Sequence, residues 1–334
     1  MPVTTRVIPI DRDAPDPAAV EEAAKVIASG GLVAFAAETV YGLGADATSP
    51  PAVARIFEAK GRPGFNPLIV HVADIGQARD CVSAWPDRAV RLAGRFWPGP
   101  LTLVLPRSTL IPDIVTAGRE TVGVRVPGTT VARELIRRSG RPIAAPSANR
   151  STGVSPTEAR HVLKDLDGKV DVVLDSGPTE VGLESTVIDL TGYVPRILRP
   201  GPIGLVELAR AMRESVGGGA TIDDPGAPMS PGQMSVHYAP RTPTYRLERD
   251  HAGEGCRAIS GRWGLLVVGG AFTAPGPAPA LTRHLPDPVG AAARLYATLH
   301  ELDEAGLDAL VIVLPEPKQA WHAVRDRLTR ASRR

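Results

Sequence analysis

The sequence LVAFAAETVYGLGADATSPPAVARIFEAKGRPGFNPLIVHV, residues 32–72, predicts a strand, a turn, a helix, a charged loop and a second strand in close succession. Residues 32–37 form a short apolar run after two glycines, which is typical of a buried strand. Gly42 and Gly44 predict a turn after this strand, where glycine lets a ligand approach the main chain. Because open α/β sheets bind ligands at the carboxyl ends of their strands, we expect a site here.

The next part of this stretch adds two cations and a histidine. Residues 52–60 have the apolar spacing of a helix, and the loop after them carries Lys60 and Arg62 between prolines. Strand alternation places His71 on the same face as Ile69. A charged loop is often only exposed surface, and a strand histidine is often only packed in the core. Together, however, the stiff pair of cations and the histidine favour a binding site for an anion.

Composition indicates a globular protein of about two domains, since the chain has 334 residues, 43% of them hydrophobic and 22% charged. Lys and Arg number 38 against 36 Asp and Glu, and this net charge of +2 does not indicate a large polyanionic partner such as duplex DNA. Cys81 and Cys256 lie far apart, which argues against a disulfide framework, a zinc site or a redox pair.

We expect a cytoplasmic protein. No apolar run approaches the roughly 18 residues that suggest a membrane span, and the first residues lack an apolar signal core.

Further polar residues lie within predicted strands or directly after them. Arg125 lies within the predicted strand 121–126, and either faces inward against an anionic partner or faces solvent on an edge strand. Ser147 and Asn149 come directly after residues 142–145 and suit either ligand binding or turn chemistry. The sequence from Ser155 to Glu158 predicts a capping box with proline at the first helical position.

The chain changes character after residue 210. Residues 211–243 are rich in glycine and proline, and this segment is either a plain tether or a lid that lays Tyr238 on a ligand. Beyond it, alternating strand and helix patterns in residues 244–334 predict a small α/β domain.

Standard phosphate-binding motifs are missing from the sequence, including the P-loop and the three-glycine dinucleotide fingerprint. A bound nucleotide would therefore contact side chains gathered from separate strand ends, namely Lys60, Arg62, Arg125, Ser147, Asn149, Ser185 and Arg199.

Six ordered motifs resemble the YrdC-like threonylcarbamoyl-AMP synthase family: ETVYGLG at 38–44, KGRPGFNPLIVH at 60–71, GVRVP at 123–127, PSAN at 146–149, ESTVID at 184–189 and RPG at 199–201. The HYAP segment and the extra domain are similar to the long form of the family. The resemblance implies an α/β fold with a YrdC-like twisted open sheet and helices in residues 1–210, and a smaller Rossmann-like α/β domain at the C-terminus. It also implies a nucleotidyltransferase that condenses L-threonine, bicarbonate and ATP to threonylcarbamoyl-AMP and pyrophosphate for tRNA modification.

The resemblance assigns roles to particular residues. L-Threonine is expected at Thr39, His71, Arg125 and Ser185, and ATP at Lys60, Arg62, Asn66, Thr121, Ser147, Asn149, Ser155, Arg199 and Tyr238. Lys60 and Arg62 are expected to act in catalysis, and Mg²⁺ is expected to arrive with ATP, without a protein metal site. The sequence departs from the family where Ala36 and Ala37 replace the usual Pro-Thr before Glu38. An RNA-binding protein and a carbamoyl transferase with the same fold are the alternatives, and a tRNA threonylcarbamoyltransferase is a possible recipient of the product.

Overall fold

The computed structural model describes residues 4–217, 231–232 and 236–333, which form two compact units. Within the described chain, the first unit contains residues 4–151, 156–180, 184–217 and 231–232. The second contains residues 152–155, 181–183 and 236–333.

The first unit is built on a mixed ten-stranded sheet with the order β1-β8-β2-β3-β7-β4-β6-β5-β9-β10. Its strands are β1 (Arg6–Pro9), β2 (Val33–Ala36), β3 (Tyr41–Asp46), β4 (Ile69–His71), β5 (Leu101–Pro106), β6 (Thr121–Arg125), β7 (Ile143–Ala144), β8 (Val172–Asp175), β9 (Thr186–Asp189) and β10 (Arg196–Arg199). Its helices are α1 (Pro17–Ala28), α2 (Pro50–Lys60), α3 (Ile75–Asp80), α4 (Asp87–Phe96), α5 (Asp113–Thr116), α6 (Thr130–Ser139), α7 (Ala159–Leu166) and α8 (Leu205–Met212). The predicted α/β fold with a large open sheet is confirmed.

Helices cover this sheet because each buries one apolar stripe against it. Helices α1 and α6 pack through residues such as Ile27 and Leu135 against one face of β2, β7 and β8. A larger cluster joins α2, α4, α7 and α8 to the sheet through residues such as Ile56, Leu92 and Leu208. A separate small cluster of Ile69, Val104, Val187 and Leu198 lies on strands β4, β5, β9 and β10.

Two local predictions were wrong. Gly42 and Gly44 do not form a turn but lie in β3, which pairs antiparallel with β2. A Cβ on Gly44 would lie 2.8 Å from both Phe35 and Ile143, so this glycine serves close packing. The capping box is also absent, because helix α7 begins at Ala159 with Glu158 as its N-cap residue and makes no side-chain cap.

The second unit has a parallel four-stranded sheet in the order β11-β14-β12-β13. Its strands are β11 (Thr244–Leu247), β12 (Trp263–Val268), β13 (Leu281–Leu285) and β14 (Ala309–Val313), and its helices are α9 (Ala252–Arg257), α10 (Pro288–Glu304) and α11 (His322–Ala331). Strands β12 and β14 are buried along their whole length, as expected for a parallel sheet. This is the α/β architecture predicted for the C-terminal domain.

A search of the described helices finds none that is long and apolar enough to cross a membrane.

Candidate active site

Several of the polar side chains predicted for the site, including His71, Arg125 and Ser185, lie on one face of the sheet at strands β4, β6, β5 and β9. His71 pairs in register with Arg125 across the parallel strands β4 and β6. Alternation places Thr102 on the same face of β5 as Val104. The small apolar cluster that contains Ile69 and Val104 therefore lies beside the polar residues.

Arg125 faces inward and has an anionic partner, which decides between the two orientations that the sequence left open. Its side chain is 4% exposed, and its Nη2 donates to Glu38 Oε1 at 2.6 Å. Its Nη1 donates to Thr39 Oγ1 at 3.1 Å, and its Nε donates to the Gly99 carbonyl at 3.1 Å. The guanidinium group is thus fixed in the interior at the end of β6.

A second group of polar contacts surrounds Ser185, next to β9. Thr102 Oγ1 and Ser185 Oγ are 2.8 Å apart. Arg199 donates from Nη2 to Ser185 Oγ at 3.0 Å and from Nε to the Ser185 carbonyl at 3.1 Å. Both hydroxyl groups are buried, so this network fixes the position of a second buried cation, Arg199.

His71 carries no charge at neutral pH in this surrounding. Burial and the positive charges of Arg125 and Arg199 lower the pKa of His71 to about 3. A hydrogen bond with the Ile69 backbone has the opposite, smaller effect. Its neutral ring can accept a hydrogen bond from a ligand hydroxyl.

Lys60 lies at the C-terminal end of α2 beside the turn at residues 146–149. Its Nζ donates to the carbonyl groups of Ser147 and Asn149, and its side chain is buried. The turn is itself held by backbone hydrogen bonds between Leu43 and Pro146 and between Ala148 and Tyr41. Burial and the neighbouring Arg62 lower the pKa of Lys60, whereas a bound phosphate would act in the opposite direction.

Arg62 stabilises the loop that leads into β4 through two hydrogen bonds to its backbone. Its Nε donates to the Asn66 carbonyl at 3.2 Å, and its Nη2 donates to the Pro67 carbonyl at 2.8 Å. Pro67 also lines a cavity of about 10 Å³ together with Thr121, Gly123 and Pro231. The Pro231 carbonyl accepts a hydrogen bond from Arg199 Nη1 at 3.2 Å, which places one described residue of the linker at the site.

Ser155 and Tyr238, the other two predicted ATP ligands, belong to the second unit. The Tyr238 ring is 1% exposed, stacks on Tyr296 with ring centroids 5.6 Å apart, and has the Arg327 guanidinium 5.2 Å from its centroid. Residues 218–230 and 233–235 of the predicted lid lie outside the described residues. The role of Tyr238 over a nucleotide stays a prediction.

Sequence reasoning missed three contributors to the site: Glu38, Thr102 and Gly128. Glu38 Oε2 accepts a hydrogen bond from the Gly128 backbone N–H at 2.8 Å, besides its ion pair with Arg125. The position of Glu38 within the ETVYGLG motif was a usable signal for it. Thr102 gave no such signal, because a threonine within an apolar strand is ordinary.

The described residues contain no group of three or more His, Cys, Asp or Glu side chains that could hold a metal ion. The polar side chains of the site are mainly cations and hydroxyl groups, and the carboxylate of Glu38 is already paired with Arg125. We therefore regard the expected Mg²⁺ as part of the ATP substrate, and this expectation stays a prediction.

Buried arginines, a buried lysine and hydroxyl groups on an open sheet face define an α/β protein that is suited to small anionic substrates. Two models of known protein families match this chain. A family model described as "Telomere recombination" (Sua5/YciO/YrdC) matches residues 25–201, and one described as "Threonylcarbamoyl-AMP synthase, C-terminal domain" matches residues 203–333. The chain therefore belongs to the Sua5/YciO/YrdC family, as a member with the threonylcarbamoyl-AMP synthase C-terminal domain.

Named relatives agree with this assignment. The chain is 42% identical over 323 residues to the threonylcarbamoyl-AMP synthase of Pyrococcus abyssi, covering 93% of each chain. It is 47% identical over 225 residues to the threonylcarbamoyl-AMP synthase of Bacillus subtilis, covering 67% of this chain and 65% of that protein.

Solved structures give the same result. P. abyssi Sua5 complexed with L-threonine matches with a TM-score of 0.88 and 39% identity over 98% of this chain and 97% of that one. Escherichia coli YciO matches with a TM-score of 0.56 at 22% identity, over 61% of this chain and 100% of that one, which shows the fold alone.

Proposed function

We propose that this enzyme is an L-threonylcarbamoyladenylate synthase, which converts L-threonine, bicarbonate and ATP to threonylcarbamoyl-AMP and pyrophosphate. The observation that carries the proposal is the row of buried cations and hydroxyl groups on one sheet face, in a chain of this family. A solved relative binds L-threonine, which supports a threonine subsite.

Arg125 is proposed to bind the threonine carboxylate, because a buried guanidinium suits a carboxylate through paired hydrogen bonds. Thr39, Ser185 and the neutral His71 are proposed to contact the remainder of threonine. The amine then attacks bicarbonate, forming a C–N bond and losing water, to give a carbamate.

The second step joins this carbamate to the nucleotide. A carbamate oxygen attacks the α-phosphorus of ATP, and the bond to the β-phosphate oxygen breaks as pyrophosphate leaves. Lys60, Arg62 and Arg199 are proposed to neutralise the charge that develops on the phosphates, with Mg²⁺ carried by ATP. Asn66, Thr121, Ser147, Asn149 and Ser155 are proposed to hold the nucleotide, with Tyr238 at its closing segment.

Positioning and charge neutralisation suffice for both steps, so no protein nucleophile is required. The carbamate and the mixed anhydride both react with water, which gives the proposed lid a function. The product would be passed to a tRNA threonylcarbamoyltransferase. Because its final acceptor is tRNA, we place the enzyme in the cytoplasm.

The test is pyrophosphate release from ATP and Mg²⁺ by the purified protein, with L-threonine and bicarbonate omitted in turn. Release that requires both, with a product of the threonylcarbamoyl-adenylate mass, is expected. Release that requires neither would indicate an ATP pyrophosphohydrolase. Salt-dependent RNA binding without any ATP reaction would favour the RNA-binding alternative, and activity with carbamoyl phosphate in place of threonine would favour carbamoyl transfer.

A further inference from the structure

Glu38 forms a buried ion pair with Arg125 on the sheet face, and the proposed chemistry does not use this carboxylate. Its side chain is 10% exposed, and each carboxylate oxygen has its own partner, Arg125 for Oε1 and the Gly128 N–H for Oε2. The loop that contains Gly128 is also tied to β2, because Thr129 Oγ1 donates to the Ala36 carbonyl at 2.9 Å. The carboxylate is therefore held at both ends.

Counting the hydrogen-bond donors of Arg125 shows what this arrangement leaves for a ligand. A guanidinium has five N–H groups, one on Nε and two on each terminal nitrogen. In the described part of the chain, each of the three nitrogens donates one hydrogen bond: Nε to the Gly99 carbonyl, Nη1 to Thr39 Oγ1 and Nη2 to Glu38 Oε1. One N–H thus remains on each terminal nitrogen, and a bidentate carboxylate requires such a pair.

Glu38 has two conceivable effects on an incoming carboxylate, and they have opposite signs. As a negative charge beside Arg125, it would compete with the ligand for the guanidinium. As a fixed acceptor, it would hold the guanidinium plane so that the two remaining N–H groups point at the ligand. The second effect dominates where both oxygens of the acceptor are immobilised, since reorganisation on binding is then small.

We propose that Glu38 is a positioning residue that orients Arg125, through its bonds to Arg125 and Gly128, for the carboxylate of the amino acid substrate. This inference rests on the proposed function, because that function places threonine at Arg125. Glu38 acts through Arg125 and is not itself a catalytic residue.

The experiment compares L-threonine and ATP binding to the wild type and to Glu38→Gln by titration calorimetry on the full chain. Glutamine keeps the size of the side chain but weakens the bond to Arg125, so the Kd for L-threonine is expected to rise about 10- to 100-fold. The Kd for ATP is expected to stay within about twofold. In turnover assays, KM for threonine should rise while kcat at saturating threonine is largely retained.

Two further variants separate positioning from general damage. Gly128→Ala would place a Cβ 3.0 Å from the Glu38 carboxylate carbon, and so displaces the carboxylate while keeping its charge. It should also weaken threonine binding. Glu134→Gln is the matched control, because Glu134 forms ion pairs with Arg137 and Arg138 on α6 outside the site. It should leave both affinities unchanged.

Tighter threonine binding by Glu38→Gln would show that Glu38 is a competing counter-ion, and unchanged binding would show that it has no positioning effect. Either result overturns this inference while the proposed function stands. If the wild type itself binds no L-threonine, the proposed function fails, and this inference fails with it.

Discussion

At the residue scale, burial and the neighbouring cations Arg125 and Arg199 shift the ionisation of His71. Its pKa of about 3 in the folded protein lies below the value of about 6.5 expected in the unfolded chain. Between these two values the unfolded chain binds a proton that the folded chain does not. The contribution of His71 to stability is therefore full above about pH 6.5 and is lost as the pH falls towards 3, by roughly 1.4 kcal/mol per pH unit.

Replacing His71 should remove this acid sensitivity. Between pH 7 and pH 5, the free energy of unfolding should fall in both proteins. We expect the fall to be smaller in His71→Gln than in the wild type, and the difference between the two falls to be about 2 kcal/mol. Urea denaturation of both proteins at the two pH values measures the difference. Parallel pH dependence of the two proteins would contradict a neutral, buried His71.

Arg62 combines a charge with a structural contact. Arg62→Ala is expected to abolish pyrophosphate release, because it removes the cation proposed to face the phosphates, while the circular dichroism spectrum of the fold is retained. Arg62→Lys keeps the charge but cannot reproduce both hydrogen bonds to the Asn66 and Pro67 carbonyls, so an intermediate rate is expected. Wild-type turnover by Arg62→Ala would contradict the assignment of Arg62 to the phosphates.

The site residues themselves differ in how far sequence predicted their surroundings. Lys60 and the turn at Ser147 and Asn149 were both expected at a ligand site, and the structure brings them into contact. The orientation of Arg125 could not be decided, because strand alternation does not reveal which face is covered. The deciding partner, Glu38, is 87 residues away in sequence.

At the element scale, strand β3 was the main failure of sequence reasoning. Two glycines in six residues predict a break in the chain, since glycine weakens a strand and lacks a side chain to pack. Tertiary packing overrides this preference, because Phe35 and Ile143 occupy the space beside Gly44. The residues around Gly44 in the sequence do not reveal that Phe35 and Ile143 pack beside it. By contrast, the strand predicted over residues 32–37 is found as β2 (Val33–Ala36), and the helix predicted over residues 52–60 is found as α2 (Pro50–Lys60).

The packing at Gly44 gives a prediction at this scale. A Cβ there would lie 2.8 Å from Ile143 Cγ2 and 2.8 Å from Phe35 Cε1, so Gly44→Ala should destabilise the first unit by about 1–3 kcal/mol. Gly94→Ala is the control of opposite sign. Gly94 lies inside α4, where a Cβ would have no atom within 4 Å, and alanine should stabilise the helix by about 0.5–1 kcal/mol. Denaturant midpoints shifted in the same direction by both changes would contradict this explanation of β3.

At the scale of the whole molecule, the second unit is made of three separate pieces of the chain. Residues 152–155 and 181–183 join residues 236–333 in it. The backbone of Ala239 donates to the Thr152 carbonyl at 2.9 Å, and His300 Nε2 lies 3.2 Å from the Ser155 carbonyl. The sequence predicted the strands and helices of residues 244–334 but not these pieces, because their partners are distant along the chain and carry no periodic pattern.

Truncation after residue 216 tests whether the catalytic unit depends on the linker and the second unit. The cut removes Ala239 and His300, the partners of residues 152–155, as well as Pro231, whose carbonyl binds Arg199. We expect fragment 1–216 to lose threonine-dependent pyrophosphate release.

The full-length variants Tyr238→Phe and Tyr238→Ala serve as controls, since phenylalanine keeps the packing against Tyr296 and alanine removes it. Activity retained by Tyr238→Phe but lost in Tyr238→Ala would assign the dependence to the ring. Full activity of fragment 1–216 would instead show that the linker and the second unit are dispensable for synthesis.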